Sequence, residues 1–101
     1  MSEVEETLER VKIQNGVEGY VIADNNGVVL RRFPSMSQEL AEAYATSMQH
    51  LAKKSRNVVR DLEPKNELRY LRIRAKRHEI LVAFDTDFLV IIIQRWTPTA
   101  L

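Results

Sequence analysis

The run Phe88-Leu89-Val90-Ile91-Ile92-Ile93 decides the fold, because six consecutive residues are apolar with no polar alternation. A strand of this composition is apolar on both faces, and both faces need cover. We therefore expect a strand over Phe88–Gln94 at the centre of a sheet. The run is far too short to span a bilayer.

Four further segments have strand composition and lie at short distances from one another along the chain. They are Val17–Ala23, Val28–Phe33, Glu67–Arg74 and His78–Phe84. Asp24-Asn25-Asn26-Gly27 is a turn-forming cluster, so the first two segments are predicted to form a β-hairpin. The short connections 75–77 and 85–87 predict that the last three strands form an antiparallel meander.

A first helix is predicted over residues 3–14. Ser2 and Glu5 have the spacing of a capping box, and Asn15-Gly16 supplies a left-handed stop. The helix carries one narrow apolar stripe, formed by Val4, Leu8 and Val11.

A second, long helix is predicted from a cap at Ser35 or Ser37, with Gln38 completing a capping box with Ser35, to about Arg60. Pro64 marks its end. Its apolar stripe follows alternating steps of four and three through Leu40, Tyr44, Met48, Leu51, Ser55, Val58 and Leu62. Two interpretations remain open: the helix lies only on its own sheet, or it also packs against a symmetry mate.

The predicted order is α-β-β-α-β-β-β, a single α+β domain with a five-stranded antiparallel sheet between helices. A helix is about 10 Å wide, whereas five strands span roughly 24 Å. The short first helix therefore leaves part of its face of the sheet bare. Bare apolar surface on a small domain usually marks a partner site.

Composition excludes several function classes. The 101 residues are 45% apolar and 29% charged, and 15 Lys and Arg against 14 Asp and Glu give a net charge of +1, which implies no polyanion partner. The absence of cysteine excludes disulfides, thiolate metal sites and a cysteine nucleophile. The acidic N-terminus does not resemble a signal peptide, so a soluble, cytoplasmic domain without membrane insertion is expected.

No catalytic, cofactor or metal site is predicted. His50 and His78 lack ligand-like neighbours, and Asp85-Thr86-Asp87 has the composition of a hairpin turn. The basic stretch Arg69–Arg77 contains one aromatic residue, Tyr70, which argues against nucleic-acid binding. Its cations either protect an edge strand or form a rim for an acidic partner.

One long run carries a family resemblance. Residues 59–83 read Val-Arg-Asp-Leu-Glu-Pro-Lys-Asn-Glu-Leu-Arg-Tyr-Leu-Arg-Ile-Arg-Ala-Lys-Arg-His-Glu-Ile-Leu-Val-Ala, which closely resembles the second half of the roadblock-type dynein light chains. Segments 3–8, 16–19 and 87–94 are also similar to theirs. The sequence departs from the family at Phe84, where members often have proline, and in the tail, so the resemblance implies a domain over 1–95 followed by a tail at 96–101.

The resemblance implies a non-catalytic homodimer that binds the dynein intermediate chain. In that family the long helices pack across the two-fold axis, and the third strands pair into one continuous sheet. Carried over, the dimer contacts are Tyr44, Met48, Leu51 and Ser55 on the helix and Leu68, Tyr70, Leu71, Arg72, Ile73 and Arg74 on the strand. Glu67 and Glu79 are the acidic residues expected to relieve the charge of these arginines.

The resemblance also implies where the intermediate chain binds. Its helices are expected beside the first helix, in a groove lined by Val4, Leu8 and Val11. A charge at Leu8 would then weaken partner binding and leave the dimer folded.

Three further consequences concern biology. The expected location is the cytoplasm and its cytoskeleton, with cytoplasmic and ciliary dynein both open, and a heterodimer with a paralogous light chain is a further expected assembly. Because proteins of similar fold scaffold or regulate small GTPases, that function is the alternative.

Overall fold

The computed structural model describes residues 2–14 and 16–95, and its elements follow the predicted order. The helices are α1, Glu3–Lys12, and α2, Gln38–Leu62. The strands are β1, Val17–Asp24; β2, Val29–Arg32; β3, Tyr70–Arg74; β4, His78–Phe84; and β5, Phe88–Arg95. Of the predicted left-handed stop at Asn15-Gly16, Gly16 has a positive φ of 82°, as predicted. Asn15 and the predicted tail at 96–101 lie outside the described residues.

The five strands form one antiparallel sheet in the order β2-β1-β5-β4-β3, so the α+β prediction is confirmed and β5 is central. Ile91 lies between Val21 of β1 and Val82 of β4. All three of these side chains are fully buried. The unbroken apolar run therefore occupies the position that its composition required.

The face of the sheet that α2 covers is packed through small helix residues. Ala41 and Ala45 are fully buried, and Ala52 is 3% exposed. Because alanine side chains are short, the α2 backbone approaches the sheet closely. The strand residues in this α2-side cluster are Val21, Ala23, Val82, Leu89, Ile91 and Ile93.

The opposite face is covered by α1. Leu8 and Val11 pack there with Tyr20, Ile22, Phe88, Val90 and Ile92, which together form the α1-side cluster. The Tyr20 ring meets the Phe33 ring edge-on at 5.4 Å between centroids, which extends the cluster toward β2. β5 is therefore sealed on both faces within one chain.

The prediction that α1 leaves part of its face bare is confirmed, and the bare part lies over β4 and β3. Val90 and Ile92 of β5 are only 6% and 8% exposed. Farther from α1, Leu81 is half-buried, Ala83 is exposed and Tyr70 is 57% exposed. The uncovered surface is thus displaced from the centre of the sheet toward the β3 edge.

The predicted helix boundaries need small corrections. Ser2 Oγ accepts a hydrogen bond from Glu5 N at 3.2 Å, as predicted, but α1 ends two residues early, at Lys12. The cap of α2 is Ser37, whose Oγ accepts from Leu40 N at 3.1 Å. The capping box of Ser35 with Gln38 was therefore wrong.

The segment before β3 is also shorter as a strand than predicted. Asn66 N donates to Glu63 O and Glu67 N donates to Asn66 Oδ1, both at 2.9 Å. These bonds form a turn after α2, which itself continues to Leu62. Pairing with β4 consequently begins at Tyr70 rather than at Glu67.

Candidate protein-interaction surfaces

Four exposed large apolar side chains lie on α2, about a third of a turn around the helix from its buried alanines. Leu40, Leu51, Val58 and Leu62 are 49%, 38%, 49% and 82% exposed, and we call them the outer flank of α2. Steps of 11 and 7 residues from Leu40 to Val58 are close to whole helical turns, so these side chains project from one side. A helix with two apolar sides contacts more than its own sheet.

The predicted helix contacts lie along the border between this flank and the sheet. Tyr44 and Met48 are half-buried and pack against the α2-side cluster, and Ser55 is also half-buried. Tyr44 and Met48 line a shallow depression of about 230 Å³ together with Leu40, Ala43 and Ser47. The structure therefore brings two of the predicted residues, Tyr44 and Met48, beside Leu40.

Sequence reasoning left three outer-flank residues out of the predicted site. Leu40, Val58 and Leu62 belonged to the same apolar stripe as Leu51, so the signal was present. This signal did not identify the partner contacts, because periodicity does not show which part of a wide stripe faces the sheet.

The second candidate surface is the outer edge of β3, an end strand of the sheet. Leu71 and Ile73 point toward the α2 side and are half-buried, whereas Tyr70, Arg72 and Arg74 lie on the α1 side. Leu68 precedes the strand and is half-buried. In the described part of the chain β3 pairs with β4 alone, which leaves the edge from Tyr70 to Ile73 available to another strand.

The arginines of β3 form ion pairs within their own chain, and both share one carboxylate. Glu79 of β4 is 5% exposed and bridges two of them: Arg72 Nε lies 3.1 Å from Oε1, and Arg74 Nη2 lies 2.8 Å from Oε2. Arg69 pairs with Glu67 at 3.0 Å. Both acidic residues named from the sequence are therefore the partners. The bridge also explains why a carboxylate is tolerated in the sheet, since a buried charge requires compensating charge and hydrogen bonds.

A second carboxylate bridge lies at the same end of β4, at the neighbouring residue His78. Glu18 Oε1 accepts from Arg95 Nε at 2.8 Å, and Glu18 Oε2 lies 3.0 Å from His78 Nε2. The hydrogen bond and charge of Arg95, with a smaller effect of His78, lower the pKa of Glu18 below its ordinary value of 4.5. The bridge links β1, β4 and β5.

The residues predicted to line the intermediate-chain groove are mostly committed to the core. Leu8 is 7% exposed and Val11 is 3% exposed in the α1-side cluster. Val4 is half-buried at the margin of that cluster. Their place in a partner groove stays a prediction, and of the three Val4 is the most accessible.

The described residues give no sign of a metal or membrane site. Within 2–14 and 16–95, no group of three or more His, Asp or Glu side chains could hold a metal ion. No helix in that part of the chain is both long and apolar enough to cross a bilayer.

Comparisons with known proteins agree with this geometry. The Roadblock/LC7 domain family matches residues 3–95. A Roadblock/LC7 domain from Streptomyces avermitilis is similar at a TM-score of 0.78 and 11% identity, covering 87% of this chain and 73% of that one. The gliding protein MglB from Thermus thermophilus is similar at 0.74 and 16% identity, covering 90% and 70%.

Another MglB structure, described as a tetrameric arrangement, has a TM-score of 0.73 and 16% identity, with 90% and 69% covered. At these identities the structural likeness establishes the fold. The family match spans nearly all of the chain, from α1 to the end of β5. This protein belongs to the Roadblock/LC7 domain family.

Proposed function

We propose that this protein is a non-catalytic, homodimeric interaction module. The observation that carries the proposal is the outer flank of α2, which exposes four large apolar side chains on a helix already buried along its other side. Exposing such a stripe to water is unfavourable, and a second copy of the same helix provides matching apolar surface.

The proposed dimer uses α2 and β3 together. At 1.5 Å per residue the 25 residues of α2 span about 37 Å, enough for an extended contact along the two-fold axis. Pairing of two β3 edges would continue the sheet across the dimer. The opposition of the arginines to this pairing is reduced, because Glu79 pairs with Arg72 and Arg74 and Glu67 pairs with Arg69. One net positive charge remains on these five residues.

The proposed partner is the dynein intermediate chain, as the run 59–83 implies. The uncovered surface over β4 and β3 supports the proposal. Leu81, Ala83 and Tyr70 form a partly apolar strip there that α1 does not cover, and we call it the bare strip. A partner helix lying on this strip would run beside α1. This function places the protein with the cytoplasmic cytoskeleton.

A second candidate function is the scaffolding or regulation of a small GTPase. The structural neighbours favour it, because those reported above are bacterial MglB and Streptomyces domains rather than motor subunits. Both candidates share the dimer and differ in the partner.

The first experiment measures mass by sedimentation equilibrium of the purified full chain. We expect twice the monomer mass of 11.7 kDa at micromolar concentration. A protein that stays monomeric at about 1 mM, where association would be worth less than about 4 kcal/mol, contradicts the proposed dimer.

The second experiment separates the partners. The immobilised chain is mixed with a purified dynein intermediate-chain segment, and in parallel with a small GTPase loaded with GDP or with a GTP analogue, both from the same organism. Nucleotide-independent capture of the intermediate chain supports the motor function, and nucleotide-dependent capture of the GTPase supports the alternative. Ala83→Arg tests the bare strip, with Arg77→Ala in the β3–β4 turn as the surface control.

A further inference from the structure

Two adjoining cavities lie at the end of the molecule where the C-terminal half of α2 passes the β1–β2 and β4–β5 turns. Their volumes are about 310 Å³ and about 480 Å³, and Arg56, Arg60 and Phe84 line both. The smaller volume is within the range of small-ligand sites. The smaller cavity is separate from the outer flank of α2, the β3 edge and the bare strip, whereas Leu68 and Arg69, which precede β3, line the larger one.

The side of α2 that faces the smaller cavity is cationic. Lys53, Arg56 and Arg60 follow each other at steps of three and four residues, so their side chains leave the helix on one side. Within residues 2–14 and 16–95 none of the three forms an ion pair with a carboxylate. Three positive charges therefore lie along this side of α2 without an ion-pair partner among the described residues.

The two cavities differ in their acidic residues. Glu67 and Asp85 line the larger one, and Glu67 already pairs with Arg69. The smaller cavity is lined by no carboxylate; its remaining residues are Asn25, Gln49, Ala52, Asn57, Phe84 and Leu89. An anion is therefore favoured in the smaller cavity.

The walls of the smaller cavity are held in place by contacts between turns and helix. Asn25 O accepts a hydrogen bond from Gln49 Nε2 of α2, and Asn25 Nδ2 donates to Thr86 O at 3.1 Å. The Arg56 guanidinium lies over the Phe84 ring at 4.4 Å. Phe84 packs against the α2-side cluster, so the position of Arg56 is fixed by the core.

One buried polar atom in the wall of the smaller cavity lacks a hydrogen-bond partner. Gln49 Oε1 is buried and accepts no hydrogen bond from any described residue. Buried polar atoms are normally paired, and a ligand hydroxyl or amino group would supply the missing donor.

We propose that the smaller cavity binds a small molecule that carries a phosphate group and a hydroxyl or amino group on an apolar body. Lys53, Arg56 and Arg60 hold the phosphate, since guanidinium groups match phosphate oxygens in pairs. Phe84, Leu89 and Ala52 contact the apolar body. The cationic side of α2 is about half a helical turn from the outer flank, so ligand binding does not compete with the proposed dimer.

The test is calorimetric titration of the full chain with inorganic phosphate and with phenyl phosphate. We expect saturable binding of phenyl phosphate with a Kd below about 1 mM, and weaker binding of inorganic phosphate because it lacks the apolar body. Arg60→Gln and Lys53→Gln should each weaken phenyl phosphate binding about tenfold. Arg77→Gln removes the same charge from the β3–β4 turn and should leave the Kd unchanged.

Several outcomes would overturn this proposal. One is the absence of saturable binding by phenyl phosphate in a chain whose circular dichroism is native. A second is equal weakening by Arg77→Gln, which would indicate attraction by net charge alone. A third is binding of a polyglutamate peptide without binding of phenyl phosphate, which would assign the cations to an acidic protein segment. Each can occur whether or not the chain proves to be a dimer.

Discussion

The two helices use their apolar residues in opposite ways. α1 has 10 residues and buries its large side chains, with Leu8 at 7% and Val11 at 3% exposure. α2 has 25 residues, yet its buried residues are three alanines, and the leucines at 40 and 62 are 49% and 82% exposed. The shorter helix therefore packs its large apolar side chains against the sheet of its own chain.

This difference shows that apolar periodicity alone does not identify an interaction surface. The narrow stripe of α1 is completed by the sheet beneath it. The wide stripe of α2 exceeds what the sheet can cover, because the alanines take the sheet contact and the leucines remain outside. Surplus apolar surface on α2, rather than the presence of a stripe on α1, is what indicates a partner helix.

The largest expected effect is that of Leu8→Asp. The substitution removes a buried leucine and places a carboxylate in the α1-side cluster, at a cost of about 4 kcal/mol in the free energy of unfolding. Urea denaturation followed by circular dichroism measures it. The expectation that a charge at Leu8 would weaken partner binding and leave the protein folded is therefore replaced by one of general destabilisation.

Ile13→Asp is the matched control for that substitution. Ile13 follows α1 directly and is 81% exposed, so the same chemical change should alter the free energy of unfolding by less than about 0.5 kcal/mol. If Leu8→Asp were as stable as Ile13→Asp, α1 would not be committed to the core, and the comparison between the helices would fail.

Leu51→Asp should act on association instead of folding. Leu51 is 38% exposed on the outer flank of α2 and belongs to neither core cluster, so the substitution should act mainly on association. A carboxylate at the centre of an apolar helix contact should raise the dissociation constant of the dimer about 100-fold, or about 2.8 kcal/mol. Sedimentation velocity over a concentration series gives this constant.

Thr46→Asp supplies the comparison for Leu51→Asp. Thr46 is an exposed α2 residue on the side away from the outer flank, and a charge there should leave the dissociation constant unchanged. A dimer equally tolerant of both substitutions would exclude the outer flank as the contact.

The elements were predictable because their signals are local. The apolar run 88–93 required a central strand, and Ser2 was correctly identified as a cap from its spacing to Glu5. The ends of α2 and β3 were less predictable. Ser35 and Ser37 have similar cap chemistry, and the turn at Glu63–Glu67 depends on backbone bonds that composition does not specify.

The candidate surfaces were only partly predictable, for a different reason. Sequence periodicity placed Tyr44, Met48 and Leu51 on one stripe, but the division between the sheet contact and the outer flank depends on where α2 crosses the sheet. The cationic cavity was not predicted at all. Its wall combines α2 with Asn25 and Phe84, which are distant in sequence and are brought together by the fold.

A smaller loss of stability is expected for a substitution of the buried Glu79, which holds β3 to β4 through ion pairs. Glu79→Gln removes both ion pairs that fasten β3 to β4. The loss should be about 1–2 kcal/mol in the free energy of unfolding, because the side chains of Arg72 and Arg74 are 54% and 51% exposed and water replaces part of the interaction. Thermal and urea unfolding both measure it.

Glu67→Gln is the control for that loss. Glu67 and Arg69 also form an ion pair, but their side chains are 63% and 82% exposed, so the effect should be close to zero. Equal effects of the two substitutions would mean that burial of Glu79 has no energetic consequence.

The smallest expected effect concerns Glu18 and appears as a dependence on pH. The lowered pKa means that the folded chain binds a proton at Glu18 more weakly than the unfolded chain does. Its contribution to stability is therefore complete above the ordinary value of 4.5 and is lost as the pH falls through the lowered pKa. Glu18→Gln should lower the urea midpoint slightly at neutral pH, and the urea midpoints of the two proteins should become equal in acid.

Glu9→Gln is the control, because it removes an exposed carboxylate that lies 3.8 Å from Lys12. It should change the urea midpoint neither at neutral pH nor in acid. A difference between wild type and Glu18→Gln that grew on acidification would show that the bridge to Arg95 is not what lowers this pKa, because loss of that bridge can only bring the two midpoints together.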